Sequence, residues 1–563
     1  MRGKNLCLGA LAALLAGCSS PSPPPAEKPA PAVALFEDFD YTGKDPVYQT
    51  LDPGPGDTLN PVLPGFYPDP SILRIGEDYY LVNSSFAWFP GLPIFHSRDL
   101  VTWKQIGNAI ERPGQVDFGK LGISRGLFAP ALSWHGGTFY IVNTCVDCGG
   151  NFLITAKDPA GPWSEPVWLP FEGIDPSLFF DGDGKAYIVN NGAPEEAPLY
   201  DGHRAIWLQE FDTATQKMAG PRKAIVDGGT DISKKPIWIE GPHLFRARGF
   251  YYLICAEGGT AEQHSEVVFR AKKIWGPYVP YKGNPILTQR DLDPKRPFPV
   301  TSTGHAEFVT TPKGDWYAVF LGTRPYADDF TNTGRETFLL PVSWKKGWPV
   351  ILPKGKPVPY VVKRPALPAE AALPANGNFT RHDGFKGAAL APDWLFIRTP
   401  RERWYQLTAK GLEIRARGDA IGGGGQPSFI GRRQQHGWAE AETRMSFAPK
   451  IEGERAGLVA FQNSDFFYFL GLARENNGIK LCVTRRAGAG DPENGVALAC
   501  VPAPEGPLFL KIAARGGVYD FSYGTKPNQW TALLRDADGT ILSTKKAGGF
   551  VGTVIGMYAY SPE

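Results

Sequence analysis

The sequence lacks a charge excess of either sign. Its 563 residues include 59 Lys and Arg against 57 Asp and Glu, which leaves a formal charge of only +2. Nucleic acids and anionic lipid surfaces are recognised mainly through clustered positive charge, so this composition argues against both as partners. Long apolar stretches are also scarce. The run from Leu6 to Ala16 is too short to span a bilayer by itself.

Stretches free of helix breakers are scarce as well. The chain contains 66 Gly and 53 Pro, about a fifth of all residues, well above the roughly 12% of average usage. Breakers at this density favour short strands joined by tight turns, so we expect an all-β fold. With roughly 50 to 250 residues in a typical domain, the length predicts two or three domains.

The first residues predict export. Positive charge in Met1–Lys4 precedes the apolar run, which ends at Leu15-Ala16-Gly17-Cys18. This order is typical of a secretory signal peptide. Leu15-Ala16-Gly17-Cys18 resembles a bacterial lipobox, so we expect cleavage before Cys18 and a lipid on its sulfur. The alternative is a plain signal peptide. We therefore assign residues 1–18 to a lipoprotein signal and 19–57 to a Pro-rich tether with an N-terminal extension.

Cysteine is scarce, with seven in the chain. In an oxidising compartment, Cys145 and Cys148 favour a short-loop disulfide over a redox motif, and no second Cys or His pair supports a zinc site. Cys482 and Cys500 lie on adjacent strand-like runs, where a second disulfide is a hypothesis. Cys255 lies in an apolar run typical of a buried thiol.

Internal repetition is the most informative feature of the chain. Five segments share an anchor residue, a short apolar strand, a turn with glycine, and aromatic residues in a second strand. The anchor precedes the last aromatic by 11 or 12 residues each time, and successive anchors lie 46 to 65 residues apart. With further strand-like runs in each unit, this repeat predicts a five-bladed β-propeller over residues 58–362, whose inner strands bring the anchors to one cavity. The anchors are Asp69, Ala129, Asp175, Glu240 and His305.

Three of the five anchors are carboxylic acids. Carboxyl groups held close together raise one another's pKa, which is typical of general acid and base catalysis. Glycoside hydrolysis is the reaction that most often uses two carboxyl groups across a cleft. The alternative is that the Asp-Pro-Ser sequences only cap turns. Asp69, Asp175 and Glu240 all occupy the anchor position of their repeat units, which disfavours that alternative.

These stretches resemble glycoside hydrolase family 43, in particular β-xylosidases and α-L-arabinofuranosidases with an added C-terminal β-sandwich. The matching segments occur in family order from residue 60 to beyond residue 330. They are Asn60–Ser71, Ser85–Gly91, His96–Leu100, Asp175–Leu178, Glu240–Leu244, Ala256–Thr260, Gly304–Ala306 and Gly334–Thr337.

The resemblance implies a role for each acid. Asp69 would be the general base that activates water, and Glu240 the general acid that protonates the leaving oxygen. Asp175 would orient Glu240 and hold its pKa up. Members of the family invert the anomeric configuration, which requires a base and an acid far enough apart to admit a water molecule.

The resemblance also implies substrate contacts. Arg324 would bind sugar hydroxyls, with an ordinary surface ion pair as the alternative. His305 would either form a hydrogen bond at the channel or lie beside a structural Ca²⁺; no cofactor is otherwise expected. Phe86 and Trp88 would pack on a pentose, with packing between blades as the alternative, and Phe128 stands where relatives more often carry Trp.

Beyond a Pro-rich join, short alternating strands predict a two-sheet β-sandwich of jelly-roll or concanavalin-like type over residues 375–563. Gly549-Phe550-Val551-Gly552 matches a loop that reaches over the propeller mouth in β-xylosidase relatives. If Phe550 closes the pocket, only one or two sugars fit; the alternative is that Phe550 belongs to the sandwich core.

The leading hypothesis is an exported enzyme that is anchored by lipid at the outer membrane or a periplasmic face. It would be an inverting exo-hydrolase that releases β-D-xylose or α-L-arabinofuranose from the non-reducing ends of xylan-type oligosaccharides. One alternative is a surface glycan-binding lipoprotein without catalysis, and another is an arabinan-directed hydrolase of the same family. A retaining fructan-type enzyme is disfavoured, since the first blade lacks an Asn-Asp-Pro-Asn-Gly element.

Overall fold

A computed structural model of the chain describes residues 32–372, 374–476 and 478–562. The predicted signal peptide, Cys18 and all of the predicted tether before residue 32 lie outside these ranges. No helix within them is long and apolar enough to cross a membrane.

Five sheets follow one another along the chain as the blades of a propeller, which confirms the predicted repeat. Their strands are antiparallel, and the main strands of each blade pair in sequence order from the inner to the outer edge. Two short strands pair out of order, Gly126–Leu127 with Thr138–Val146 and Leu287–Thr288 with Ser265–Ala271. The strands are Ser71–Ile75, Asp78–Val82, Gly91–Ser97 and Lys104–Ile110 in blade one; Gly126–Leu127, Ala131–His135, Thr138–Val146, Gly150–Ala156 and Val167–Trp168 in blade two; Ile174–Phe180, Ala186–Gly192, Ala205–Asp212 and Lys217–Asp227 in blade three; Glu240–Ala247, Phe250–Glu257, Ser265–Ala271, Val279–Pro280 and Leu287–Thr288 in blade four; and Thr301–Thr310, Trp316–Thr323 and Glu336–Pro341 in blade five.

The ring is closed by residues that precede blade one. The Val62 N–H donates to the Thr337 carbonyl, and Leu63 forms an antiparallel bridge with Thr337 in the last strand of blade five. The first and last blades are thereby joined without a covalent link. Further short antiparallel pairs lie outside the blade sheets, and they are Asp57–Leu59 with Val361–Lys363, Ser343–Lys345 with Trp348–Val350, and Trp88–Phe89 with Phe396–Ile397.

The remaining strands form two antiparallel sheets, as predicted for a sandwich. One sheet has nine strands and the other has six. The nine are Val33–Phe36, Phe39–Gly43, Thr380–Asp383, Tyr405–Thr408, Gly411–Arg415, Trp438–Ser446, Leu508–Arg515, Val518–Gly524 and Thr531–Asp538; the six are Ser428–Arg433, Arg455–Asn463, Phe466–Glu475, Gly478–Ala487, Val496–Pro502 and Val554–Tyr560. The helical segments are Pro46–Gln49, Ile232–Lys234, Gly539–Leu542 and Thr544–Ala547.

The sandwich also contains part of the N-terminal extension. Val33–Phe36 pairs with Gly411–Arg415, and Phe39–Gly43 pairs with Trp438–Ser446. Residues 33–43, which the sequence assigned to the tether and N-terminal extension, therefore contain two strands of the second domain. The propeller is inserted between these two strands and the rest of the sandwich.

Propeller and sandwich share one apolar core. Trp88 of blade one is fully buried, and its ring lies 5.8 Å from that of Phe461 and 6.3 Å from that of Phe429, both in the six-stranded sheet. The alternative of core packing is therefore correct for Trp88, although the packing joins two domains rather than two blades.

Both proposed disulfides are present. Cys145 is bonded to Cys148, and Cys482 is bonded to Cys500 on the paired strands Gly478–Ala487 and Val496–Pro502. Cys255 is a free, buried thiol.

Candidate active site

The backbone at the anchors directs their side chains. Asp69, Asp175 and His305 have φ values of 51°, 54° and 53°, and Gly241, directly after Glu240, has φ 55°. The strand register shifts next to Asp175, Glu240 and His305, as it does at β-bulges. Left-handed backbone at residues other than glycine costs free energy and persists only where the surroundings impose it, typically at functional sites. Three anchors in three blades thus carry the same unusual conformation, and in blade four the residue after the anchor carries it.

Asp69 lies in an environment that favours its ionised form. Ser84 Oγ donates to Asp69 Oδ2 at 2.6 Å, and Arg335 Nη1 donates to Asp69 Oδ1 at 3.1 Å. His305 Nδ1 lies 3.6 Å from the same Oδ1 atom. Burial raises the pKa of Asp69, but Arg335, His305 and Ser84 together outweigh it, and the pKa ends below its ordinary value.

The pKa values of Glu240 and Asp175 are shifted upward, opposite to that of Asp69. Burial raises the pKa of Glu240 well above its ordinary value, and the charges of Asp175 and Asp69 raise it further. Burial and the Asp69 charge raise the pKa of Asp175 to about 7, although the Gly241 N–H donates to its Oδ2 atom at 3.2 Å. One cluster therefore holds an ionised carboxylate and a protonated carboxylic acid at neutral pH.

His305 lies between Asp69 and the strand that begins at Glu240. Its Nδ1 faces Asp69, and a Cβ atom at position 241 would lie 2.8 Å from its Nε2. Only glycine at 241 accommodates both this approach and the positive φ. Burial lowers the pKa of His305 to about 4, so the ring is neutral at neutral pH.

A polar network ties the inner strands together behind the site. Ser71 Oγ and the Ile72 N–H both donate to Glu307 Oε2, at 2.5 and 2.7 Å, and Glu307 Oε1 lies 3.2 Å from His243 Nδ1. The Leu132 N–H donates to Ser71 Oγ at 2.9 Å. Blades one, two, four and five are cross-linked in this way around the axis, which fixes the anchors relative to one another.

The residues at the axis do not fit a metal ion. Across residues 32–372, 374–476 and 478–562, no group of three or more His, Cys, Asp or Glu side chains is arranged to hold one. A structural Ca²⁺ beside His305 needs several oxygen ligands at one point. We therefore derive no step through calcium.

Three phenylalanines pack together beside Arg335, and Phe86 among them is 1% exposed and belongs to the core. The Phe550 ring lies 5.9 Å from Phe86 in a stacked arrangement and 5.7 Å from Phe128 edge-on. The Arg335 guanidinium carbon lies 5.4 Å from the Phe550 ring centre. Phe550 and Arg335 line a cavity of about 210 Å³. The predicted reach of Phe550 from the sandwich to the site is therefore seen, and it stands next to the arginine that holds Asp69.

The prediction that Arg324 binds sugar hydroxyls is wrong. Arg324 Nε and Nη2 donate to Glu336 at 2.6 and 2.8 Å, and Nη1 donates to Asp45 at 2.6 Å. Its other donors reach the Tyr48 hydroxyl and the Gln435 carbonyl. A guanidinium has five N–H groups, so none is left for a ligand. The side chain is also buried, which rules out the surface ion pair as well.

Arg335 and Ser84 are the residues at the site to which the sequence assigned no role. Arg335 lies in the Gly334–Thr337 segment that carried the family resemblance, and Ser84 directly precedes the Ser85–Gly91 segment. Both side chains contact Asp69. Their positions in or next to the segments that resemble the family were the sequence signal that could have identified them. A buried neutral His264 also lies near the site, where burial lowers its pKa to about 4 and Arg335 and Asp69 act on it.

Comparison with known proteins agrees with this geometry. Residues 58–349 match the model of glycosyl hydrolases family 43, and residues 382–563 match that of the beta xylosidase C-terminal concanavalin A-like domain. A xylosidase/arabinosidase of Butyrivibrio fibrisolvens is 39% identical over 512 residues, covering 89% of this chain and 95% of that protein. The non-reducing end alpha-L-arabinofuranosidase BoGH43B of Bacteroides ovatus is 38% identical over 508 residues, with 89% and 90% covered.

The fold agrees equally well with a solved structure. A GH43_12 protein retrieved from a capybara gut metagenome superposes with a TM-score of 0.87 at 42% identity, covering 94% of this chain and 100% of that one. Both domains are therefore shared with relatives in sequence and in structure. The chain belongs to glycosyl hydrolase family 43 and is a glycoside hydrolase.

Proposed function

We propose that this enzyme removes single β-D-xylosyl or α-L-arabinofuranosyl residues, with inversion, from the non-reducing ends of xylan-type oligosaccharides. The observation that carries the proposal is the buried cluster of Asp69, Asp175 and Glu240, in which Ser84 and Arg335 contact Asp69 alone. These surroundings lower the pKa of Asp69 and raise that of Glu240. An ionised carboxylate and a protonated carboxylic acid are the two groups that single-displacement hydrolysis needs.

In this mechanism a water molecule attacks the anomeric carbon. Asp69 accepts a proton from that water, while Glu240 gives its proton to the glycosidic oxygen as the carbon–oxygen bond breaks. The charge of Asp175 raises the pKa of Glu240 and so keeps Glu240 protonated. Arg335 keeps the base ionised by its contact with Asp69.

The substrate class rests on chemistry and on relatives. Pentosyl residues are uncharged, and the partly buried Phe550 ring, with Phe128 beside it and the buried Phe86 behind it, supplies an apolar surface for such a sugar. The small cavity beside Arg335 and Phe550 suits an enzyme that takes one terminal residue at a time. The names of the relatives, a xylosidase/arabinosidase and an α-L-arabinofuranosidase, support the same pair of sugars.

Two substitutions separate the acid from the base. Glu240→Gln should lower kcat about 10² to 10⁴-fold on xylo-oligosaccharides and much less on p-nitrophenyl glycosides, whose leaving group departs without protonation. Asp69→Asn should lower kcat on both substrates, because water activation is needed for each. Asp181→Asn is the control, since this buried carboxylate is held by Arg246 and Tyr251 away from the cluster. Equal losses on both substrates for Glu240→Gln would remove it from the acid role.

The sugar and the stereochemistry are tested directly. We expect turnover of p-nitrophenyl β-D-xyloside, p-nitrophenyl α-L-arabinofuranoside or both, and ¹H NMR should show that the first product has the inverted anomeric configuration. Release from arabinoxylan and arabinan oligosaccharides, measured in parallel, decides between the leading substrate and the arabinan alternative. A purely glycan-binding protein would bind these oligosaccharides and hydrolyse none of them.

The location of the enzyme is a separate part of the proposal. Leu15-Ala16-Gly17-Cys18 supports export and a lipid on Cys18, with anchoring at the outer membrane or a periplasmic face. Metabolic labelling with a radioactive fatty acid should label the full chain and should not label Cys18→Ala. A labelled Cys18→Ala protein, or an unlabelled full chain in the soluble fraction, would contradict the anchor.

A further inference from the structure

A second and larger cavity adjoins the first. Its volume is about 640 Å³, against about 210 Å³ for the cavity beside Arg335 and Phe550. Ligand pockets commonly measure about 300 to 1,000 Å³, so only the larger cavity has the size of an oligosaccharide site. It lies between the propeller loops 294–301 and 324–329 and residues 437–438 and 545 of the sandwich.

Two residues line both cavities. Asp329, on a propeller loop, and Lys545, on the helix Thr544–Ala547 of the sandwich, belong to the wall of each. Lys545 Nζ donates to the Asp328 carbonyl and lies 4.7 Å from the Phe330 ring centre. The two cavities therefore adjoin each other at Asp329 and Lys545. A sugar chain whose terminal residue lies beside Phe550 would meet the larger cavity next.

Phe298 is the exposed aromatic side chain of the larger cavity. It is 42% exposed, lies between Pro297 and Pro299, and has a φ of 46°. A bulky residue in left-handed backbone is strained, and such strain clusters at binding and functional sites. Two flanking prolines restrict the backbone of the loop at this position. An exposed aromatic face is the surface on which the apolar face of a sugar ring packs.

The charges of the cavity favour an uncharged ligand. Its lining contains four basic and four acidic side chains, so neither sign dominates. Anionic partners such as phosphates are bound where positive charge is in excess. Arg324 and Asp45 pair with each other, and the remaining three basic and three acidic side chains supply balanced donors and acceptors, which suit hydroxyl groups. The charged residues are Lys295, Arg296, Arg324 and Lys545 with Asp45, Glu262, Asp328 and Asp329, and the aromatic residues are Phe298, Tyr326, Tyr360 and Trp438.

We infer that the cavity lined by Phe298, Tyr326 and Trp438 binds the part of a neutral pentose oligosaccharide that lies beyond the scissile bond, with Phe298 as its stacking platform. This inference rests on the proposed function, because it assumes that the terminal sugar occupies the site beside Asp69 and Glu240. The enzyme thereby favours chains over short fragments.

The test compares substrates of different length. In Phe298→Ala, the ratio of kcat/KM on xylotetraose to kcat/KM on the preferred aryl glycoside should fall about tenfold, the loss expected when burial of part of an aromatic ring is removed. Phe298→Trp should keep the ratio. Trp134→Ala is the control, because Trp134 is 40% exposed but lines neither cavity. An unchanged ratio in Phe298→Ala overturns the inference.

Binding gives a readout that does not depend on turnover. Isothermal titration of the Glu240→Gln protein with xylobiose and xylotetraose should show tighter binding of the longer chain, and adding Phe298→Ala should remove that difference. Equal affinities for both chains before the second substitution overturn the inference. Absence of turnover on every glycoside, with the length-dependent binding intact, would overturn the proposed function and leave the cavity assignment standing.

Discussion

Replacing Arg335 by Gln should move the pH profile of kcat/KM upward. Arg335 Nη1 lies 3.1 Å from Asp69 Oδ1, and both side chains are largely buried. Burial alone would raise the pKa of Asp69, and the guanidinium is the strongest of the contacts that reverse this effect. Because Asp69 acts as a base only when ionised, loss of the positive charge leaves it protonated over a wider range of acidic pH.

The size of the shift follows from the contact. An opposite charge at this distance lowers a carboxyl pKa by about 1 to 3 units. A charge pair about 4 Å apart at an effective dielectric constant of 20 interacts by about 4 kcal/mol, which corresponds to the upper end of that range. The acid limb should therefore move up by about 1 to 3 pH units. The basic limb should follow, since Arg335 also opposes the rise in the pKa of Glu240 that burial and the two aspartates cause.

The assay is the pH dependence of kcat/KM on whichever aryl glycoside the wild type hydrolyses. Arg335→Lys, which keeps a positive charge, should retain most of the acid limb. Arg324→Gln is the matched control: this second buried arginine pairs with Asp45 and Glu336, so its loss should lower the melting temperature without moving either limb. An unshifted acid limb in a folded Arg335→Gln protein would refute the assignment of Asp69 as the base that Arg335 holds ionised.

Three further outcomes are expected. Burial and the Asp69 charge raise the pKa of Asp175 to about 7 in the folded protein, so the stability it contributes is present below about pH 4 and lost as pH rises to 7. Thermal scans should accordingly show Asp175→Asn melting above the wild type at pH 8 and losing that advantage at pH 4. Phe550→Ala should lower kcat/KM on aryl glycosides about tenfold by removing part of the apolar surface, as measured by steady-state kinetics. Paired Cys482→Ser and Cys500→Ser substitutions should lower the free energy of unfolding by about 2 to 4 kcal/mol, measured by denaturant titration, since they open a cross-linked loop.

The blades and the three acids were predictable because their signal is local and repeated. Each blade restates the same spacing between its anchor and its aromatic residues, so Asp69, Asp175 and Glu240 appear at one phase of a period. In a propeller, equivalent residues of different blades face the same axis, so residues at the same point of the repeat lie close together. The prediction needed no knowledge of contacts.

The two arginines show where that reasoning stops. Arg324 and Arg335 lie in neighbouring segments of blade five, and each stands within a family-like motif. What separates them is the set of carboxylates that the fold brings to each side chain: Glu336 and Asp45 saturate Arg324, whereas Arg335 reaches Asp69. Asp45 is 279 residues away from Arg324 along the chain, so no local pattern records the pair.

The position of Val33–Phe36 and Phe39–Gly43 within the large sandwich sheet has a consequence for the order of folding. These strands are synthesised first, but their partners Gly411–Arg415 and Trp438–Ser446 follow only after the whole propeller. Until then both strands present unpaired edges, which are open to aggregation and proteolysis. The five blade sheets contain their own pairing partners, so they are able to form earlier. Completion of the nine-stranded sheet is thus a late event, which a nascent chain reaches only after Thr531–Asp538 has been made.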